Sequence, residues 1–252
     1  QNYVADTDFY TALKDARQKD LERKTAKGPL GRLHGLPICI KDHTTCKNFR
    51  ITCGLSWPLA NPKPKADCTL VAILRSQGVV PFISSNIPQM LGAIETYNNV
   101  FGRASNPWNP SRTVGGSSGG EAGLIATRCS VIGIGSDAAG SIRIPSAFTG
   151  IYGFMPTSRR VTCQKTENIR RIDFHYYREI GCAYGPMGRN VDDLILICKS
   201  LFGEFKGEFL DCDVVPKVWK EEEYNLRKTR KLRIGYTFES DHCEPCPAVR
   251  NA

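Results

Sequence analysis

The residues best suited to breaking a covalent bond in this 252-residue chain are hydroxyls set among glycines. The segment Gly115-Gly116-Ser117-Ser118-Gly119-Gly120-Glu121 offers two serines on a backbone that can turn sharply and let a substrate approach its N–H groups. A further hydroxyl, Ser141, follows in Gly135-Ser136-Asp137-Ala138-Ala139-Gly140-Ser141-Ile142-Arg143. A serine attacks an unreactive carbonyl only when a base takes its proton. The identity of that base decides the chemistry.

Several readings compete. Both Ser117 and Ser118 satisfy the G-x-S-x-G nucleophile elbow, which needs a downstream acid and then a histidine. The histidines are His34, His43, His175 and His242. Only the last two lie downstream, and neither sits in a segment resembling a catalytic loop. A phosphate-binding loop would end in Gly-Lys-Ser/Thr, which is missing here. Dinucleotide binding through Gly133-Ile-Gly135-Ser-Asp-Ala138 would want an acid about 20 residues on, where Arg159 and Arg160 stand instead. A plain Gly/Ser turn leaves unexplained why so many such residues open a helix. No well-placed histidine is available, so another base is needed, and a lysine could serve. It must be neutral, and moving an ordinary value of about 10.4 to about 7 takes roughly 4 to 5 kcal/mol of differential solvation, which burial can supply. Lys41 ends the apolar run Leu36 to Ile40, so it suits that role. Its neighbour Asp42 would point to the opposite face of a strand and leave it without that counter-ion. Ser141 opens an expected helix, where it could be an N-cap, a nucleophile, or both.

Taken together these motifs resemble the amidase signature family. The resemblance is carried by Gly35-Leu-Pro-Ile-Cys-Ile-Lys41-Asp42, Asn106-Pro-Trp-Asn-Pro110, the Gly/Ser segment, and Gly135 to Pro145. It resumes at Gly150 to Thr157, Gly185-Pro-Met187 and Leu232-Arg-Ile-Gly-Tyr236. Glu121 and the run Pro247-Ala-Val-Arg250 look most like the fatty-acid amide hydrolase branch. The resemblance implies a catalytic Lys41, Ser117 and Ser141, with Ser141 as nucleophile, Ser117 bridging through a cis peptide after Gly116, and Lys41 as base. It implies an oxyanion hole from the N–H groups of Ala138, Ala139, Gly140 and Ser141. Gly116, Ser118, Asp137 and Arg143 are implied as supporting residues. The reaction implied is hydrolysis of carboxylic amides, with fatty acyl amides or other N-acyl amines as substrates, and no metal or organic cofactor. An inactive scaffold and an amidotransferase subunit are the alternatives. Ala138 stands where Thr or Ile is more usual, and the chain stops about half-way through the family's length.

Elements must hold these residues in place. The sequence predicts a helix from Thr7 or Asp8 to Gly28, strands over Leu36–Lys41, Val79–Ile83, Val131–Gly135 and Leu232–Tyr236, and helices over Asp67–Ser76, Glu121–Thr127, Ser141–Phe148 and Asp192–Phe202. Residues 92–120 read as a long functional loop. The expected fold is α/β: a mixed central sheet flanked by helices on both faces, cut short at its C-terminal end. The expected division is an N-terminal helical segment, 1–30, and an incomplete amidase domain, 31–252.

The net charge of +9 is spread along the chain, so nucleic acid is not an expected partner. The mixed run Lys217–Arg233 reads as a solvated face or linker, with contact to an anionic membrane as the sharper alternative. A small lipid-like amide is the expected ligand, and a homodimer is left open. Eleven cysteines include Cys39 and Cys198 inside apolar runs, which suits buried thiols. Cys243-Glu-Pro-Cys246 lacks the second pair that zinc needs. The compartment expected is intracellular, cytoplasmic or at the surface of an internal membrane.

Overall fold

The computed structural model describes residues 1–164, 181–203, 211–231, 233–235 and 247–250. His175, His242, Cys243 and Cys246 lie outside the described residues. The strand expected over Leu232–Tyr236 falls mostly outside them, and residues 233–235 form no strand.

The chain divides into a unit over Gln1–Trp219 and a second over Lys220–Ala252. In the first, β1 (Val4–Thr7), β2 (Pro37–Lys41), β3 (Val80–Ser85), β6 (Ile132–Asp137), β7 (Tyr152–Gly153) and β8 (Ala183–Gly188) form one sheet, ordered β1-β3-β2-β6-β8-β7. A separate two-stranded hairpin pairs β4 (Tyr97–Asn98) with β5 (Gly102–Arg103) inside the expected loop 92–120. Strands β3, β2 and β6 run parallel, while β1, β8 and β7 are antiparallel to their neighbours. The expected mixed sheet is therefore present.

Side-chain alternation along the central strands separates two cores. Ile38, Ile40, Ile132 and Ile134 pack with Leu70, Ile73 and Leu74 of α2 (Thr69–Ser76) and with Ile197 and Leu201 of the helix over Val191–Leu201. Cys39 and Met187 pack on the other face with Ala122, Leu124 and Ile125 of α3 (Gly119–Ala126) and with Ile142, the N-cap of α4 (Arg143–Thr149). The Val191–Leu201 helix is α5. It is capped by Asn190, whose side chain accepts the Asp193 N–H.

The N-terminal segment 1–30 is not set apart. Strand β1 pairs with β3, and α1 (Phe9–Thr25) follows with Asp8 as its side-chain cap. The edge of β3 needed a partner for its N–H and C=O groups, and β1 supplies it. In the second unit, α6 (Glu221–Thr229) has its described side chains exposed except for half-buried Tyr224, with a Lys220–Glu223 ion pair of 2.6 Å. The described part of α7 is Pro247–Arg250. No helix among the described residues is long and apolar enough to cross a membrane.

Candidate active site

Because β2 and β6 are parallel and in register, with Ile40 opposite Ile134, their C-terminal ends open on the same edge of the sheet. Ligand sites in such sheets lie beyond those carboxyl ends. Lys41 closes β2 there, and Ser136 and Asp137 close β6. Lys41 is fully buried. Its Nζ donates to Ser117 Oγ at 2.8 Å, to Ser136 Oγ at 3.0 Å and to the Ser136 carbonyl at 3.2 Å. Burial pushes its pKa down to about 8, against the opposing pull of Glu121, Cys182, Asp137 and Cys53. Asp42 makes no hydrogen bond or ion pair with that amine among the described residues. Its carboxylate accepts the Thr52 N–H and hydroxyl instead, at 3.0 and 2.7 Å, as a side chain on the other face of the strand must. Burial nonetheless raises it to about 6.

Ser117 precedes α3 in the Gly/Ser segment, and the Gly116–Ser117 peptide is cis. Ser118 is buried behind it, and its N–H donates to the Ser141 carbonyl at 3.0 Å, so the two serine-bearing turns are tied together. Ser141 is half-buried, and its hydroxyl has no hydrogen-bond partner among the described residues. The turn before Ser141 is organised by Asp137. This carboxylate, fully buried, accepts N–H groups from Gly140 (2.7 Å), Ile142 (3.0 Å) and Arg143 (3.3 Å), and pairs with the Arg143 guanidinium at 2.9 and 3.0 Å. Burial would raise the Asp137 carboxyl, but Arg143 and those N–H donors outweigh it and hold it at about 2.

Two expectations change here. Helix α4 begins at Arg143, not Ser141, and the N-terminal N–H groups are capped by Asp137 from across the turn, so Ser141 is not the N-cap. The Gly140 N–H, expected among the oxyanion donors, is committed to Asp137. Its φ of +111° is open to glycine, and the conformation turns that amide inward. Among the described residues the N–H groups of Ala138, Ala139 and Ser141 have no such acceptor, and Ala139 is exposed.

The competing motifs resolve physically. Gly133 and Gly135, read as a dinucleotide signature, lie in β6 and face α3. A Cβ on Gly133 would meet Glu121 Cγ at 3.0 Å, and one on Gly135 would meet Ser118 Oγ at 2.8 Å. They are bare because helix side chains occupy that space. Neither described histidine bonds to a serine of the site. His34 Nε2 lies 2.9 Å from the Lys19 carbonyl, and half-buried His43 stacks on Tyr184 with its pKa held well below the ordinary value by desolvation of its ring. Asp211, Cys212 and Asp213 bring ligand atoms within 4.8 Å of one another, but this group contains none of the site residues.

The amidase family profile matches residues 1–252. The chain belongs to the amidase family. Within it, the chain is 40% identical over 245 residues to the vitamin D3 hydroxylase-associated protein of Gallus gallus, covering 97% of this chain and 50% of that protein. It is 38% identical over 234 residues to fatty-acid amide hydrolase 1 of Sus scrofa, covering 92% of this chain and 39% of that one. A solved fatty acid amide hydrolase superposes with a TM-score of 0.78 at 29% identity, over 87% of this chain and 38% of that structure. This amidase-family chain thus spans half the length, or less, of these relatives.

Two of the groups around Lys41 were missed in the sequence. Ser136 supplies two of the three partners of the amine, and Glu121 is a buried carboxyl whose charge opposes the lowering of the Lys41 pKa. A signal for Glu121 existed: it is the one charged residue in the otherwise apolar helix Gly119–Ala126. All nine described cysteines are free thiols, with Cys39 and Cys198 buried as expected.

Proposed function

We propose that this amidase-family chain carries the catalytic groups of a serine amidohydrolase, with Lys41 as base, Ser117 as relay and Ser141 as nucleophile. The observation that carries the reading is the 2.8 Å contact between a fully buried lysine amine and Ser117 Oγ. A neutral amine has two N–H bonds and one lone pair. The Ser136 carbonyl can only accept, so the lone pair is free to face a hydroxyl. In the reaction Ser141 Oγ bonds to the amide carbon as its proton passes to Ser117, whose own proton passes to Lys41. The relay then runs backwards, and the C–N bond breaks as the leaving amine takes a proton. Water hydrolyses the resulting ester by the same route. The developing oxyanion would be held by the N–H groups of Ala138, Ala139 and Ser141, of which each well-aimed donor is worth about 3 kcal/mol.

The substrate class proposed is a fatty acyl amide or similar N-acyl amine, supported by the named relatives and the branch-like motifs. A fluorophosphonate probe tests the chemistry: Ser141 is expected to be labelled, and Ser141→Ala to abolish both labelling and amide turnover. Labelling elsewhere, with turnover intact in Ser141→Ala, would overturn the reading. Comparing long-chain with two-carbon primary amides tests the substrate class, and equal turnover of both would remove the fatty acyl assignment alone.

A further inference from the structure

Helix α3 is buried along its whole length, and Glu121 is its one ionisable group. The side chain is 0% exposed, and among the described residues neither carboxyl oxygen meets a donor in good hydrogen-bond geometry. Ser85 Oγ lies near enough to favour the charged form and has no other partner among the described residues. A buried carboxyl short of donors is costly when ionised, by several kcal/mol, unless a cation meets it. The sheet makes that meeting possible. A Cβ on Gly133 would meet Glu121 Cγ at 3.0 Å and Cys39 Sγ, from the adjoining strand, at 2.7 Å, so both side chains cover that glycine. Cys39 pairs in register with Gly133, and Lys41 lies two residues further along the same face of β2. The carboxyl therefore lies on the face of the sheet where Lys41 reaches Ser117.

Resting on the reading of Lys41 as base, we propose that Glu121 is a positioning residue for that amine: its buried carboxylate stabilises the ammonium formed as the serines give up their proton, and sets the pH at which the amine becomes free to accept it. Among the described residues, one other group facing this pair titrates in the same range: Asp42, whose carboxyl burial raises to about 6. Asp137 is paired with Arg143, and Asp42 is bonded to Thr52. His43 is kept neutral, and the thiols of Cys39, Cys53 and Cys182 are kept protonated, all by burial. Of the two carboxyls whose charge can vary, Glu121 exerts the larger pull on Lys41. Burial raises its own pKa to about 7 against the opposing pull of Ser85 and Lys41. Two groups interacting this closely lose their protons as a pair.

The sign follows. An ionised Glu121 favours the ammonium, so it raises the pH needed to free the amine. Removing the charge makes Lys41 a base at lower pH but a weaker one, with its ammonium less stabilised in the transition state.

The test is the rate of Ser141 labelling by a fluorophosphonate from pH 5 to 10, for the parent protein, Glu121→Gln and Lys41→Met. Glu121→Gln is expected to move the acidic limb down by about one pH unit and to lower the plateau several-fold. Lys41→Met is expected to remove the limb. A Glu121→Gln limb at the parent's pH, or above it, overturns the role of Glu121. A Lys41→Met profile with the limb intact overturns the reading of the base instead, so the two failures are distinguishable. Glu121→Met lays an apolar chain of similar length against Gly133 and is expected to shift the limb in the same direction. It provides the same charge deletion should the glutamine amide disturb the fold.

Discussion

At the scale of single residues, the site depends on which buried charges have partners. Asp137 has five donor contacts, whereas Glu121, among the described residues, has only Ser85 Oγ near enough to favour its charge, although both are fully buried. The first is therefore held ionised and the second driven towards neutrality, and the two make different predictions. Asp137→Asn leaves the Gly140, Ile142 and Arg143 donors facing an amide that has one acceptor atom. The folded Asp137 carboxyl sits near 2, below its unfolded value. Its stabilisation is therefore complete above the unfolded value and disappears as the pH falls through about 2. It is worth about 2 kcal/mol at most, since Arg143 is more than half exposed and water screens it. Urea unfolding is expected to show the parent ahead of Asp137→Asn at pH 7, with the gap narrowing at pH 3. A gap that widens on acidification would contradict the assignment.

At the scale of elements, legibility followed how each element gets its stability. Strands β2, β3 and β6 are buried on both faces and read as apolar runs, and α2 and α5 show apolar faces at helical spacing. Strand β1 was hidden because Val-Ala-Asp-Thr has no pattern of its own, and its pairing to β3 makes it a strand. Strand β8 was hidden by Gly185, Pro186 and Gly188, residues depleted in strands. Pro186 faces Ile134 of β6, and its carbonyl accepts the Phe154 N–H at 3.1 Å on the side where β7 has ended. The site residues Lys41, Ser117 and Asp137 were legible from motif order, whereas Glu121 needed the phase of α3 against the sheet, which sequence spacing does not give. That docking yields a prediction in which two effects oppose. Gly120→Ala gains about 1 kcal/mol of helix propensity. Its Cβ, however, would come within 2.5 Å of the Asn86 backbone N and O, where the Gly120 N–H donates to Asn86 at 3.0 Å. Backbone cannot step aside, so overpacking of about 1 to 3 kcal/mol is expected to win. The variant should unfold at lower urea than the parent, and a higher midpoint would show that α3 is not seated on Asn86.

At the scale of the molecule, the first unit is closed by contacts between segments far apart in sequence, and the N-terminal residues make several of them. Tyr3 is buried, its ring packs against Gly123 of α3, and its hydroxyl donates to the Ser105 carbonyl at 2.7 Å. Its own carbonyl accepts the Asn86 N–H at 2.8 Å. One residue thus joins β1, the loop after β3, the segment after β5, and the helix that follows Ser117. Burial also raises its phenol to about 12, so it stays a neutral donor through the physiological range. Had residues 1–30 been an appended helical segment, substitutions there would leave the unfolding of the remainder untouched. The sheet order argues otherwise, since removing β1 would bare the edge of β3. Tyr3→Ala is therefore expected to cost the whole unit about 3 to 5 kcal/mol, the range for deleting a buried aromatic ring. Tyr10→Ala, seven residues on and 84% exposed, should stay within about 0.5 kcal/mol of the parent. Parallel urea titrations read by fluorescence and by Ser141 labelling would check both, and two variants of equal stability would remove β1 from the structural unit that carries Lys41 and Ser117.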